Sequence, residues 1–143
     1  CLIFNSRLRA FAPAGISEYT IPDSVKMILG EVFVSCENLT DVIIPEGVEN
    51  IQNLSFGGCV GLTSIVLPST LYYLGFAPFY ACSNLKEVYC KSLVPPIIEY
   101  DGWQGFDYNA PDRVIYVPME SVDAYKVAYG WADYADCIVG YDM

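Results

Sequence analysis

Glu99, Asp101, Asp107 and Asp112 lie close together in the chain with Tyr100, Trp103, Phe106 and Tyr108 between them. Carboxylates among aromatic rings are the residue types from which a glycoside hydrolase is built. That chemistry needs two carboxyl groups roughly 5 to 9.5 Å apart, one of them kept protonated by burial, and a loop rich in Gly, Pro and Asn offers no burial for an acid. The same acids lack the D-x-D-x-D-G spacing of a calcium loop. The chain has no histidine, which removes Ser-His-Asp and Cys-His nucleophiles and His-ligated zinc. Gly57-Gly58-Cys-Val-Gly61 lacks the spacing and the lysine of a phosphate-binding loop. The expectation is a protein that is not an enzyme, with no catalytic residue, no cofactor and no metal.

Cysteine is the remaining reactive type. Cys36, Cys59 and Cys82 recur at a step of 23 residues. Equivalent residues stacked about 4.8 Å apart have parallel rather than converging Cβ vectors, and no C-x-x-C occurs. These three are therefore expected as buried thiols acting as small hydrophobes.

The step of 23 is the main message of the chain. It links Pro22, Pro45 and Pro68, each preceded by an aliphatic residue, and Phe33, Phe56 and Phe79. It also links Ile16, Leu39, Leu62 and Leu85, then Tyr19, Val42, Ile65 and Val88, then Val25, Val48 and Leu71, then Ile28, Ile51 and Leu74. A fixed period of this size marks a stack of identical coils, because one coil cannot bury its apolar side alone. Within a unit, Leu39-Thr-Asp-Val42-Ile-Ile44-Pro45 reads as a short strand with inward residues two apart, closed by a proline that cannot donate to a ladder. Gly47 to Ile51 is a second extended stretch, and Phe56-Gly-Gly-Cys59 is the turn that returns the chain.

The pattern L-x-x-V-x-I-P-x-x-V-x-x-I-x-x-x-x-F-x-x-C-x-x-L resembles the BspA-like leucine-rich repeat of bacterial, Bacteroidetes-type surface proteins. The resemblance covers Ile16 to Cys90. It extends to a degenerate or clipped coil at Arg9 to Gly15, where Phe11 sits one residue out of step, and to a terminal segment including Pro95-Pro96, Val114 to Pro118 and Ser121 to Trp131. The resemblance implies a leucine-rich-repeat solenoid, a right-handed stack of 23-residue coils. It further implies an exported surface protein that binds host proteins, matrix components or other cells, and so an extracellular or cell-surface location. Cys1 fits either the lipidated first residue of an outer-membrane-anchored chain or a cut through a longer repeat array.

Three segments follow. Residues 1–15 form a degenerate or truncated N-terminal coil, 16–90 three repeats plus the strand of a fourth, and 91–143 a cap of loop, strand and helix. The main ladder is expected to hold about five strands. In the cap, Val114 to Val117 aligns with the strand before each proline. Val122, Tyr125, Ala128 and Tyr129 recur at helical spacing, with Gly130 ending or kinking the helix. Residues 99–143 carry nine acidic and two basic side chains, which keeps the covered end of the stack solvated.

The net charge of −10 opposes binding to nucleic acid or anionic lipid, and no apolar run reaches the length of a membrane span. The expected partners are extracellular proteins or glycans, met by a monomer. Two candidate surfaces follow. If Leu39, Val42 and Ile44 face inward, the residues between them face solvent. Thr20, Ile43, Val66, Tyr89 and Tyr116 then form one stripe across the coils, with Glu18, Asp41, Ser64, Glu87 and Val114 beside it. The first stripe is apolar and turns aromatic toward the cap, the composition of a protein-binding face. The alternative is a glycan face on the cap loop built from Tyr100, Trp103 and Tyr108, which requires those rings to be exposed and flat.

Overall fold

The computed structural model describes residues 2–10 and 15–142; Cys1 and Phe11, with the readings placed on them, lie outside the described residues. In chain order the strands are β1 (Leu2–Phe4), β2 (Arg7–Ala10), β3 (Glu18–Thr20), β4 (Met27–Ile28), β5 (Asp41–Ile43), β6 (Asn50–Ile51), β7 (Ser64–Leu67), β8 (Tyr73–Leu74), β9 (Glu87–Cys90), β10 (Ile97–Ile98), β11 (Val114–Pro118) and β12 (Ile138–Tyr141). One α-helix, α1 (Val122–Val127), lies between 3-10 turns at Met119–Ser121 and Trp131–Cys137. The fold is mostly sheet, and apart from the β1–β2 hairpin its strands pair in parallel.

The repeat step becomes strand register. Glu18 pairs with Asp41, Ser64 with Glu87 and Asn50 with Tyr73, so residues 23 apart lie side by side. Each coil gives one strand to a main ladder, ordered β3-β5 and then β7-β9-β11-β12, and a shorter strand to a second sheet, ordered β1-β2-β4-β6-β8-β10. The return segments form a third hydrogen-bonded wall. The N–H groups of Glu31, Phe33 and Ser35 donate to the carbonyls of Asn53, Ser55 and Gly57, and those of Leu54, Phe56 and Gly58 to Phe76, Pro78 and Tyr80. Two left-handed backbone positions per coil produce this return, at Glu31, Leu54 and Ala77 and again at Ser35, Gly58 and Ala81. Only Gly58 occupies such a position without a steric cost.

The core between the walls is a set of side-chain columns. Phe33, Phe56, Phe79 and Phe106 stack almost parallel, with ring centroids 4.8, 5.3 and 5.7 Å apart. Phe106 continues a column that the repeat spacing alone ends at Phe79. The cysteine column does more than fill space: Cys59 Sγ donates to the Phe33 carbonyl and Cys82 Sγ to that of Phe56, each at 3.0 Å, so the thiols tie successive coils together. Cys36, Cys59, Cys82, Cys90 and Cys137 are all free thiols.

The main ladder departs from the expected five strands in two ways. A sixth strand, β12, pairs with β11, matching Ile115 with Ile138 and Tyr116 with Val139; this is again a step of 23, visible in the sequence once looked for. The ladder is also interrupted, since β5 and β7 share no register although the second sheet runs on past them.

The cap closes the far end with aromatic rings. Trp131 is buried, donates Nε1–H to the Pro96 carbonyl at 3.0 Å, and packs against Trp103, Phe106 and Tyr125. The helix is shorter than its periodicity implies. Ala128 is already extended and Gly130 has φ +80, so Tyr129 leaves the apolar face and its hydroxyl donates instead to Asp101 at 2.6 Å. Tyr125, fully buried, donates to the Ser92 carbonyl at 2.8 Å and lies 3.1 Å from Cys90 Sγ. Removing that hydroxyl leaves a buried carbonyl without a donor, so Tyr125→Phe is expected to cost about 1–2 kcal/mol in a urea titration. A variant as stable as the parent would show that the bond is not needed.

Candidate binding surface

The strand period of two places every second residue of the main ladder on its outer side. Thr20, Ile43 and Val66 are exposed there, and Tyr89 and Tyr116 are half-buried. The registers set Thr20 beside Ile43, and Val66, Tyr89 and Tyr116 side by side, and Ile43 and Val66 meet across the gap between β5 and β7 in one groove. Val139 extends the row to a sixth strand through its pairing with Tyr116. Ile43, Val66 and Val139 are 60%, 41% and 45% exposed, a stretch of apolar side chain that the molecule leaves to solvent. At 4.7 to 4.9 Å per strand, six strands span roughly 24 Å.

The row changes character along its length. Toward the cap, the rings of Tyr89 and Tyr116 stack with centroids 4.7 Å apart, and Tyr141 meets both edge-on at 5.3 and 5.7 Å. The Tyr89 hydroxyl donates to the Glu87 carboxylate, and this bond, with some burial, pushes its pKa up to about 12. The ring therefore stays neutral over the working range of pH. Tyr141 lies 23 residues after Pro118 in the register of β12, outside the tyrosine columns of the repeat, and joins the cluster through that pairing. At the other end, Glu18, Asp41, Ile43, Ser64 and Val66 line a shallow groove of about 560 Å³, which crosses the interruption between β5 and β7.

The cap-loop alternative is not assembled. Trp103 is 5% exposed and donates Nε1–H to the Gly75 carbonyl at 2.8 Å, so its ring fills the end of the core and presents no face to a sugar. Tyr108 is 71% exposed and packs edge-on against Tyr80, while Tyr100 packs edge-on against Phe76. The indole was needed to close the Phe column, a role set by contacts far apart in sequence. The loop acids are taken up separately: Asp101 by Tyr129, Asp107 by Tyr134 at 2.7 Å, and Asp112 by Lys86 at 4.0 Å. Among the described residues no three His, Cys, Asp or Glu side chains are placed to hold a metal ion.

The family model for the BspA-type leucine-rich repeat region matches residues 7–100 in six copies. The chain belongs to this family. No curated protein matches it in sequence. BspA-type repeats are typically surface-associated, and a leucine-rich-repeat domain points to a protein-binding module that is generally non-catalytic. Among the described residues of this BspA-type chain, no helix is long and apolar enough to cross a membrane.

Proposed function

We propose that this BspA-type chain is a solenoid segment, a right-handed stack of coils, serving as a cell-surface adhesion module that binds extracellular proteins through the outer face of its main ladder. The observation that supports the reading most directly is the row Thr20, Ile43, Val66, Tyr89, Tyr116 and Val139, set side by side by strand register within each ladder and by the shared groove between β5 and β7, and left exposed or half-exposed. A rigid parallel sheet holds these groups in fixed relation, so a partner meets an ordered surface and little entropy is lost on binding. Tyrosine is enriched at the energetic centres of protein interfaces because its ring buries area while its hydroxyl stays hydrogen-bonded.

The test is a binding screen of multivalently displayed protein against immobilised matrix proteins and a glycan panel, since display recovers weak single-site affinity. Tyr89→Ser combined with Tyr116→Ser is expected to leave the fold intact and to weaken protein binding at least about tenfold. Unchanged affinity in the folded double variant would overturn the assignment of the face. Glycan binding that survives the double variant would place the site outside this face, and silence on both panels would make the domain a spacer.

A further inference from the structure

We infer that the partner surface seated on the main ladder is basic and amphipathic: an extended segment in which Lys or Arg alternates with apolar side chains. The inference rests on the outer ladder face being the binding surface and adds the chemistry of what binds there. Beside the apolar row runs a second row on the same face, Glu18, Asp41, Ser64 and Glu87, in which Glu18 pairs in register with Asp41 and Ser64 with Glu87. All four are exposed. The carboxylates have only neutral hydrogen-bond neighbours: Asp41 accepts from the Thr40 hydroxyl at 2.9 Å, and Glu87 accepts from Tyr89. The one ion pair among the described residues is Lys86 with Asp112, so among them no cation is paired with the row.

The two rows sit two residues apart along each strand, so an extended partner laid across the strands between them turns successive side chains alternately toward one row and the other. A partner laid across the strands would place apolar groups on Ile43 and Val66 and cations against Glu18 and Asp41, in the groove at the interruption between β5 and β7. An acidic partner would meet like charge at Glu18, Asp41 and Glu87, which is how such a face discriminates. The apolar row, roughly 24 Å long, corresponds to about seven extended residues, and the acidic row beside it, roughly 14 Å long over four strands, to about four.

The probes are three immobilised synthetic peptides of about eight residues, alternating Val with Lys, Ser or Glu, and the readout is binding of the folded chain. The Lys peptide is expected to bind at least about tenfold more tightly than the Ser peptide, with the Glu peptide weakest, and to lose most of that advantage between about 50 and about 500 mM NaCl. Glu18→Gln, Asp41→Asn and Glu87→Gln together should weaken the Lys peptide about tenfold. Asp123→Asn, Asp133→Asn and Asp136→Asn, on the cap, should change it by less than about twofold. Equal losses in both triple variants would mean a general attraction to an acidic chain and would overturn the inference, as would equal binding of the Lys and Ser peptides. The Ile43→Ser, Val66→Ser variant separates the two levels. If it loses binding while the acid variant does not, the face stands and the basic partner falls; if neither loses binding, both fall.

Discussion

Phe56→Ala is expected to destabilise the fold by about 3–5 kcal/mol, among the largest effects open to a single substitution here. Phe56 is fully buried between Phe33 and Phe79, with ring planes within 4° and 7° of parallel. Truncation removes both contacts at once and leaves a space bounded by two flat rings. The surrounding coils cannot close over it, because their spacing is held by ladder bonds. Phe56 N–H donates to the Pro78 carbonyl, and the Phe56 carbonyl accepts from Cys82 Sγ. Poor relaxation is the condition under which cavity cost approaches its upper range. Denaturant titration with an unchanged slope is the measurement. A loss under about 1 kcal/mol would show that the column is not the packed spine of the stack.

Stability is expected to hold level through neutral pH and to collapse between pH 9 and 11. Histidine is absent, so no side chain has its ordinary titration near neutrality. The buried thiols set the alkaline limit. Burial pushes Cys82 from an ordinary 9.0 to about 11, and it takes Cys90 to about 11 despite the opposing Tyr125 bond. Burial, followed by the neighbouring Cys82, moves Cys59 up further still. The unfolded chain releases these protons near pH 9 and the folded chain holds them, so the contribution is complete below 9 and is lost as pH rises through the folded values. Over that window each such thiol removes about 1.4 kcal/mol per pH unit. Buried Tyr125 and Tyr134, also raised by burial first, act in the same direction at higher pH. Urea midpoints measured from pH 7 to 11 test this directly. A Cys82→Ala variant should show a shallower decline, and a midpoint constant to pH 11 in the parent would refute the linkage.

The two expectations share an origin, since Cys82 bonds to the carbonyl of Phe56. Thiol column and ring column are two parts of one seam between coils. An added charge on the seam and a missing ring in it should both loosen coil-to-coil contact rather than one isolated site.

Much of this architecture was legible in the chain because it is local spacing repeated. Eight columns at a step of 23 specify which residues stack, and the alternation of Leu39, Val42 and Ile44 with Asp41 and Ile43 specifies which side each takes. A proline after the strand marks where the ladder ends. Those rules placed Thr20, Ile43, Val66, Tyr89 and Tyr116 on one face without coordinates, since register in a parallel stack is the repeat length itself.

Where the repeat stops, sequence spacing loses that authority. Trp103 reads as a loop aromatic, yet it closes the core through contacts with Gly75, Trp131 and Tyr134. Phe106 joins the ring column after a longer step than its predecessors, and Tyr141 reaches the tyrosine cluster only because β12 pairs with β11. These placements are decided by which side chain can fill the last open cross-section and which strand can cover the last ladder edge. Both are properties of the assembled stack. The spacing of the repeats thus determined the coil, the identity of its outer face and the place of its sixth strand, whereas the closure of its end and the groove between β5 and β7 were decided by packing in three dimensions.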